Sequence, residues 1–74
     1  MPELPRISGD EAIRVLKALG FFEVRQRGSH VVLRRGEAGC VIPRHKQLAI
    51  GTLRNALRQA GISVEEFVVA CKSK

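Results

Sequence analysis

Arg25-Gln26-Arg27-Gly28-Ser29-His30-Val31-Val32-Leu33-Arg34-Arg35 is the stretch that decides the fold. Two alternating runs flank Gly28-Ser29, a pair suited to a two-residue β-hairpin in which glycine supplies the positive φ of a type II′ turn. The turn sets the register: Arg27 opposite His30, Arg25 opposite Val32, Val24 opposite Leu33, and Glu23 opposite Arg34. Side chains alternate across a strand, so Phe22, Val24, Val31 and Leu33 are expected on one face. Arg25, Arg27, His30 and Arg34 are expected on the other. A single imidazole on an open cationic β-surface suits a phosphodiester backbone better than a small metabolite.

Outward from the hairpin, the first strand is read as Phe22–Arg27 and the second as His30–Arg35. A third, Cys40–Pro43, is expected after a four-residue Gly36-Glu37-Ala38-Gly39 turn. Arg35 then faces Cys40, Leu33 faces Ile42, and Val41 sits near Arg34. Pro43 ends the sheet because it cannot donate to a ladder. On the N-terminal side, Ser8-Gly9-Asp10-Glu11 fits a capping box for a helix that buries Ala12, Ile13, Leu16 and Leu19 and closes at Gly20. On the C-terminal side, Ile50, Leu53, Leu57 and Ala60 recur at helical spacing up to Gly61. Ser63 and Glu66 then cap a last helix expected to bury Val64, Phe67, Val68 and Cys71. The order α-β-β-β-α-α, with three antiparallel strands, predicts a two-layer α+β sandwich. That order is shared with the double-stranded-RNA-binding domain.

Seventy-four residues make one domain, spanning 1–74, close to the lower limit for folding on a hydrophobic core alone. Hydrophobic content of 45% argues against disorder. Net charge of +6 and a pI near 10.4 predict attraction to nucleic acid or another polyanion. The charge is concentrated: from Arg25 to Lys46 six cations face Glu37 alone, which accounts for five of the six net units. With Phe21, Phe22 and Phe67 as the only aromatics, a stacking platform of exposed rings is not expected. Cys40 and Cys71 lie 31 positions apart with no Cys or His partner at ligand spacing, so no metal site and no disulfide is expected. No apolar run is long enough to span a membrane, and the opening residues form no signal peptide, so a cytoplasmic protein is expected.

Cutting RNA requires a proton taken from the 2′-hydroxyl, charge stabilisation at the phosphate, and a proton given to the leaving oxygen. Imidazole can serve either proton step, and arginines supply the electrostatic clamp. An imidazole at a hairpin turn is ordinarily just a polar surface residue. What marks His30 as the catalytic candidate is its open face, flanked by cations. Arg25, Arg27 and Arg34 are candidate RNA contacts, as are the turn residues Gly28 and Ser29 and the basic loop Arg44-His45-Lys46. Gly51-Thr52-Leu53 at a helix start is either a phosphate contact or an ordinary first turn.

At Gly28-Ser29-His30 the chain meets a known pattern. Ile7-Ser8-Gly9, Leu19-Gly20-Phe21, Val24 through His30, Pro43-x-His45, Gly51-Thr52-Leu53, Gln59-Ala60-Gly61-Ile62 and Glu65-Glu66-Phe67 occur in one order and spacing. Together they resemble the HicA toxins, small ribonucleases of the YcfA-like group. Two places depart from that pattern: the stretch between His45 and Leu48 is short, and Ala56 stands where a larger apolar residue is usual. The resemblance implies a double-stranded-RNA-binding-like fold and the toxin role in a type II toxin–antitoxin system. It further implies cleavage of mRNA without metal or organic cofactor, a catalytic histidine at His30, and a HicB-like antitoxin partner that covers it. Two other readings stay open: an RNA-binding module without catalysis, and a basic protein whose surface only docks an acidic partner.

Overall fold

The computed structural model describes residues 3–72, in the order α1 (Gly9–Ala18), β1 (Phe22–Arg27), β2 (His30–Arg35), β3 (Ala38–Pro43), α2 (Ile50–Ala60) and α3 (Val64–Lys72). The sheet is antiparallel with strand order β1-β2-β3, as the sequence pattern predicts. α1 starts where its capping residues dictate. Ser8 Oγ accepts from the Glu11 N–H at 3.1 Å, and Glu11 Oε1 accepts from the Ser8 N–H at 2.9 Å. Satisfying orphan amides in this way is worth about 1 kcal/mol per cap. α3 opens with Glu66 N–H donating to Ser63 Oγ at 3.0 Å.

The end of α1 sets the phase of the next segment. Gly20 takes φ 101°, its N–H donates to the Lys17 carbonyl, and the Phe21 N–H donates to the Leu16 carbonyl. This is a Schellman closure, in which the residue after glycine packs back on the helix. Phe21 is accordingly buried. The hairpin at the other end of β1 demands that Arg25 and Arg27 face outward with His30. Strict alternation cannot meet both conditions, because counting forward from an inward Phe21 turns Arg25 inward.

One extra residue resolves the conflict. Pairing slips between Glu23 and Arg25, so Val24 forms a β-bulge, Glu23 faces Leu33, and Phe22 faces Arg34. The expected pairs Val24–Leu33 and Glu23–Arg34 are therefore corrected by one residue. Phe22 and Val24, expected inside, stand 72% and 54% exposed. Glu23 moves to the helix side, where it pairs with Lys17 at 3.5 Å and Arg44 at 3.8 Å.

The second connection is also tighter than expected. Gly36-Glu37 forms a two-residue turn with Gly36 at φ 61°, so β3 begins at Ala38 rather than Cys40. Leu33 then faces Cys40, Arg35 faces Ala38, and Val41 faces Val32 instead of lying by Arg34. A glycine-led two-residue loop matches the twist of antiparallel strands better than a longer one. The correction is two residues, which preserves the faces, and Cys40 and Ile42 stay buried as expected.

Val31, Leu33, Cys40 and Ile42 form the sheet's contribution to one core, completed by Leu16 of α1, Leu53 and Leu57 of α2, and Phe67 of α3. Ala56, where a larger residue is usual in the family pattern, is buried in it too. Each fully buried side chain of this size contributes roughly 1.5–3 kcal/mol before the entropy of ordering is counted. α2 packs on β3, and α1 packs on β3 and α3. The helices cover one face of the sheet, and the other faces solvent.

Candidate nucleic-acid interface

His30 opens β2, exposed, between Arg27 of β1 and Pro43 of β3. Three cross-strand rows make up the outer face: Arg27–His30–Pro43, Arg25–Val32–Val41, and Phe22–Arg34–Gly39, with Pro43 buried and Val32 and Gly39 half-buried. Successive rows lie about 7 Å apart along the strand, two residues at ~3.3 Å each. None of the three contains a carboxylate. The bulge is the reason: in regular alternation Glu23 would stand on this face opposite Arg34 and offset its charge.

The end of the sheet that carries His30 is braced from three directions. Gly28 takes φ 58° and Ser29 a negative φ, as a type II′ turn requires, and Gln26 Nε2 donates to the Gly28 carbonyl at 2.9 Å. The Ser29 carbonyl accepts from the Arg44 N–H at 2.6 Å, tying the turn to the loop after β3. The His45 carbonyl accepts from the Gly9 N–H at 2.9 Å, tying that loop to the first turn of α1. Gly9 is obligatory here, since a Cβ on it would lie 2.0 Å from the Pro43 carbonyl oxygen.

The six-cation cluster divides in two. Arg25, Arg27 and Arg34 are exposed on the outer face, and Lys46 is exposed with His45 in the loop after β3; among the described residues none of these cations is ion-paired. Arg44 departs from the expected pattern. Its guanidinium reaches the helix side, 3.5 Å from Asp10 and 3.8 Å from Glu23, so it is ion-paired where, among the described residues, the other loop cation, Lys46, is not. Arg35 is engaged as well: it donates to the Leu19 carbonyl at 2.7 Å and lies 4.8 Å from the centre of the Phe21 ring. Gly51 and Thr52 are exposed in the first turn of α2, on the helix layer.

Phe22 is the residue that sequence reasoning missed. The signal was present in Gly20, since a closing glycine makes the next residue, Phe21, the one that packs on the helix and leaves its neighbour outside. Cys40 and Cys71 are both thiols, and burial pushes that of Cys40 up to about 11. Among the described residues no cluster of three His, Cys, Asp or Glu side chains is arranged to hold a metal ion. No helix among them is long and apolar enough to cross a membrane.

Fold and surface together define a small basic α+β module with one imidazole on an open, arginine-lined sheet. The family model described as the HicA toxin of bacterial toxin–antitoxin systems matches residues 9–62, and the chain belongs to that family. Membership gives it the toxin role in such a system, with an antitoxin as partner. No curated protein matches its sequence.

Proposed function

We propose that this protein is a metal-independent endoribonuclease that cleaves mRNA in the cytoplasm and so inhibits translation, within a type II toxin–antitoxin system. The observation that carries the reading is the outer sheet face: His30 exposed, with Arg25, Arg27 and Arg34 in cross-strand register and no acid among them. His30 handles a proton at the reacting phosphate, either taking it from the 2′-hydroxyl or giving one to the departing 5′ oxygen. The arginines hold the strand and offset the charge that builds on the phosphate. The amides of the Gly28-Ser29 turn, with His45 and Lys46 in the adjoining loop, contact neighbouring phosphates. Arg44 supports that loop from behind.

A HicB-like antitoxin covering His30 accounts for neutralisation, since a partner on this face excludes RNA from the imidazole and the arginines at once. Purified protein incubated with mixed RNA in EDTA is expected to cut it. His30→Ala is expected to lose about 10²- to 10⁴-fold in rate with its thermal melt unchanged, because the ring is exposed. Equal cutting by both proteins sinks the mechanism, and cleavage abolished by EDTA sinks its metal independence. Binding without cleavage by either selects the non-catalytic RNA-binding reading.

A further inference from the structure

We propose that Phe22 is a base-stacking residue, forming with Arg34 a subsite for an unpaired nucleobase of single-stranded RNA at the end of the sheet away from His30. The inference builds on the reading of the outer face as an RNA surface and adds a second contact point to it.

Three observations carry it. Phe22 is the most exposed large apolar side chain of the described residues, 72% accessible, although alternation counted back from the hairpin would bury it. The bulge that turns the ring outward also removes Glu23 from the same face, so one local irregularity installs an aromatic and removes an acid. The row beyond it is open as well. Arg34 lies opposite Gly39, which contributes no side chain, and beyond them the sheet edge opens into a shallow hollow of about 360 Å³ that runs from Arg34, Glu37 and Val41 round to Gln59 of α2. A base lying on the ring therefore meets no obstruction from β3, and Arg34 stands beside it to hold the phosphate.

The charge pattern favours RNA over a protein partner. The centre of a protein interface is depleted of charge, whereas this ring lies opposite Arg34 on the face that also carries Arg25 and Arg27, whose cross-strand rows hold no carboxylate; Glu37, in the turn at the edge of the hollow, is the one acid beside it. Sheets that bind single strands pair the same two ingredients, rings for bases and cations for phosphates. Arg34 is four residues along β2 from His30, about 13 Å, which leaves room for roughly two to four nucleotides between the stacked base and the imidazole.

The test uses the full chain and a single-stranded 2′-O-methyl oligonucleotide, which lacks the attacking hydroxyl and stays intact. 2-Aminopurine is placed at successive positions along it. Phe22→Ala is expected to weaken binding about 5- to 150-fold without changing its salt dependence, since no phosphate contact is lost. Phe22→Trp is expected to restore binding. Quenching of 2-aminopurine by the unsubstituted chain is expected at one or two adjacent positions and to vanish in Phe22→Ala, while duplex binding stays unchanged.

The proposal is overturned if Phe22→Ala binds the single strand as the parent does, the result expected if the ring serves a protein partner. Equal weakening toward duplex and single strand also overturns it. Parallel assays on ordinary RNA separate this inference from the nuclease reading. Cleavage with Phe22-independent binding removes the subsite alone, and Phe22-dependent quenching without cleavage keeps the subsite and removes the nuclease.

Discussion

Gly9→Ala gives the sharpest test of how the His30 end of the sheet is held. A methyl group at this position would sit 2.0 Å from the Pro43 carbonyl oxygen and 2.9 Å from both the Pro43 carbonyl carbon and Arg44 Cα. All three are backbone atoms, so no side chain can swing aside. The carbonyl must retreat by about 1 Å to reach even the shortest separation real Cβ atoms show, and overpacking of this kind costs about 1–3 kcal/mol or more. The retreat also stretches the Gly9–His45 hydrogen bond, worth about 0.5–1.5 kcal/mol. Alanine's higher helix propensity returns about 1 kcal/mol. The net loss is about 0.5–3.5 kcal/mol, against the roughly 4–11 kcal/mol expected for a chain of this length.

With no Trp and no Tyr in the chain, the assay is urea unfolding monitored by far-ultraviolet circular dichroism. The midpoint should fall with the slope unchanged, and the thermal midpoint should drop by roughly 2–28 °C. Gly51→Ala is the control. It lies within α2 with nothing within 4 Å of the added Cβ, and should stabilise by about 0.5–1 kcal/mol. A Gly9→Ala protein as stable as the parent refutes the reasoning, because the contact of α1 with the β3 exit would then be adjustable rather than fixed.

Other side chains separate binding from stability. Arg34→Ala should lower RNA affinity and reduce the salt slope by about one unit while leaving stability within about 0.5 kcal/mol; Arg35→Ala should do the reverse, losing about 1–2 kcal/mol with the Leu19 hydrogen bond and the Phe21 contact. Comparing denaturation midpoints with salt-dependent binding distinguishes the two. Burial raises the Cys40 thiol from 9.0 to about 11, so the folded state holds its proton more tightly than the unfolded one. The resulting stability is present in full below pH 9 and is lost as pH rises through 11. Urea midpoints should fall by the equivalent of about 2 kcal/mol across that window, and Cys40→Ala should flatten that part of the curve. Ser8→Ala removes half the capping box of α1 and should cost about 1 kcal/mol; an unchanged melt would show that the cap contributes nothing measurable.

Much of the candidate site was legible in local chemistry. Gly28-Ser29 announces a type II′ hairpin and thereby places Arg25, Arg27 and His30 together on one face, which is where they lie. Arg34 keeps to that face because β2 runs without irregularity. Arg44 could not be sorted in this way, since its direction depends on Asp10 and Glu23, 34 and 21 positions away in the chain.

The sequence by itself determined the order of elements, the caps of α1 and α3, the glycine closures, and the inward face of β2 and β3. These are set by neighbours within one turn or one strand, where propensity and alternation act directly. Only the tertiary structure decided the phase of β1. The Schellman closure drives Phe21 into the core, the hairpin drives Arg25 out, and the mismatch is absorbed at Val24. Two local rules that are each obeyed can still disagree by one residue, and it is packing against β2 and α1 that chooses where the extra residue goes. That choice put an aromatic ring among the arginines and sent Glu23 to the opposite side of the sheet.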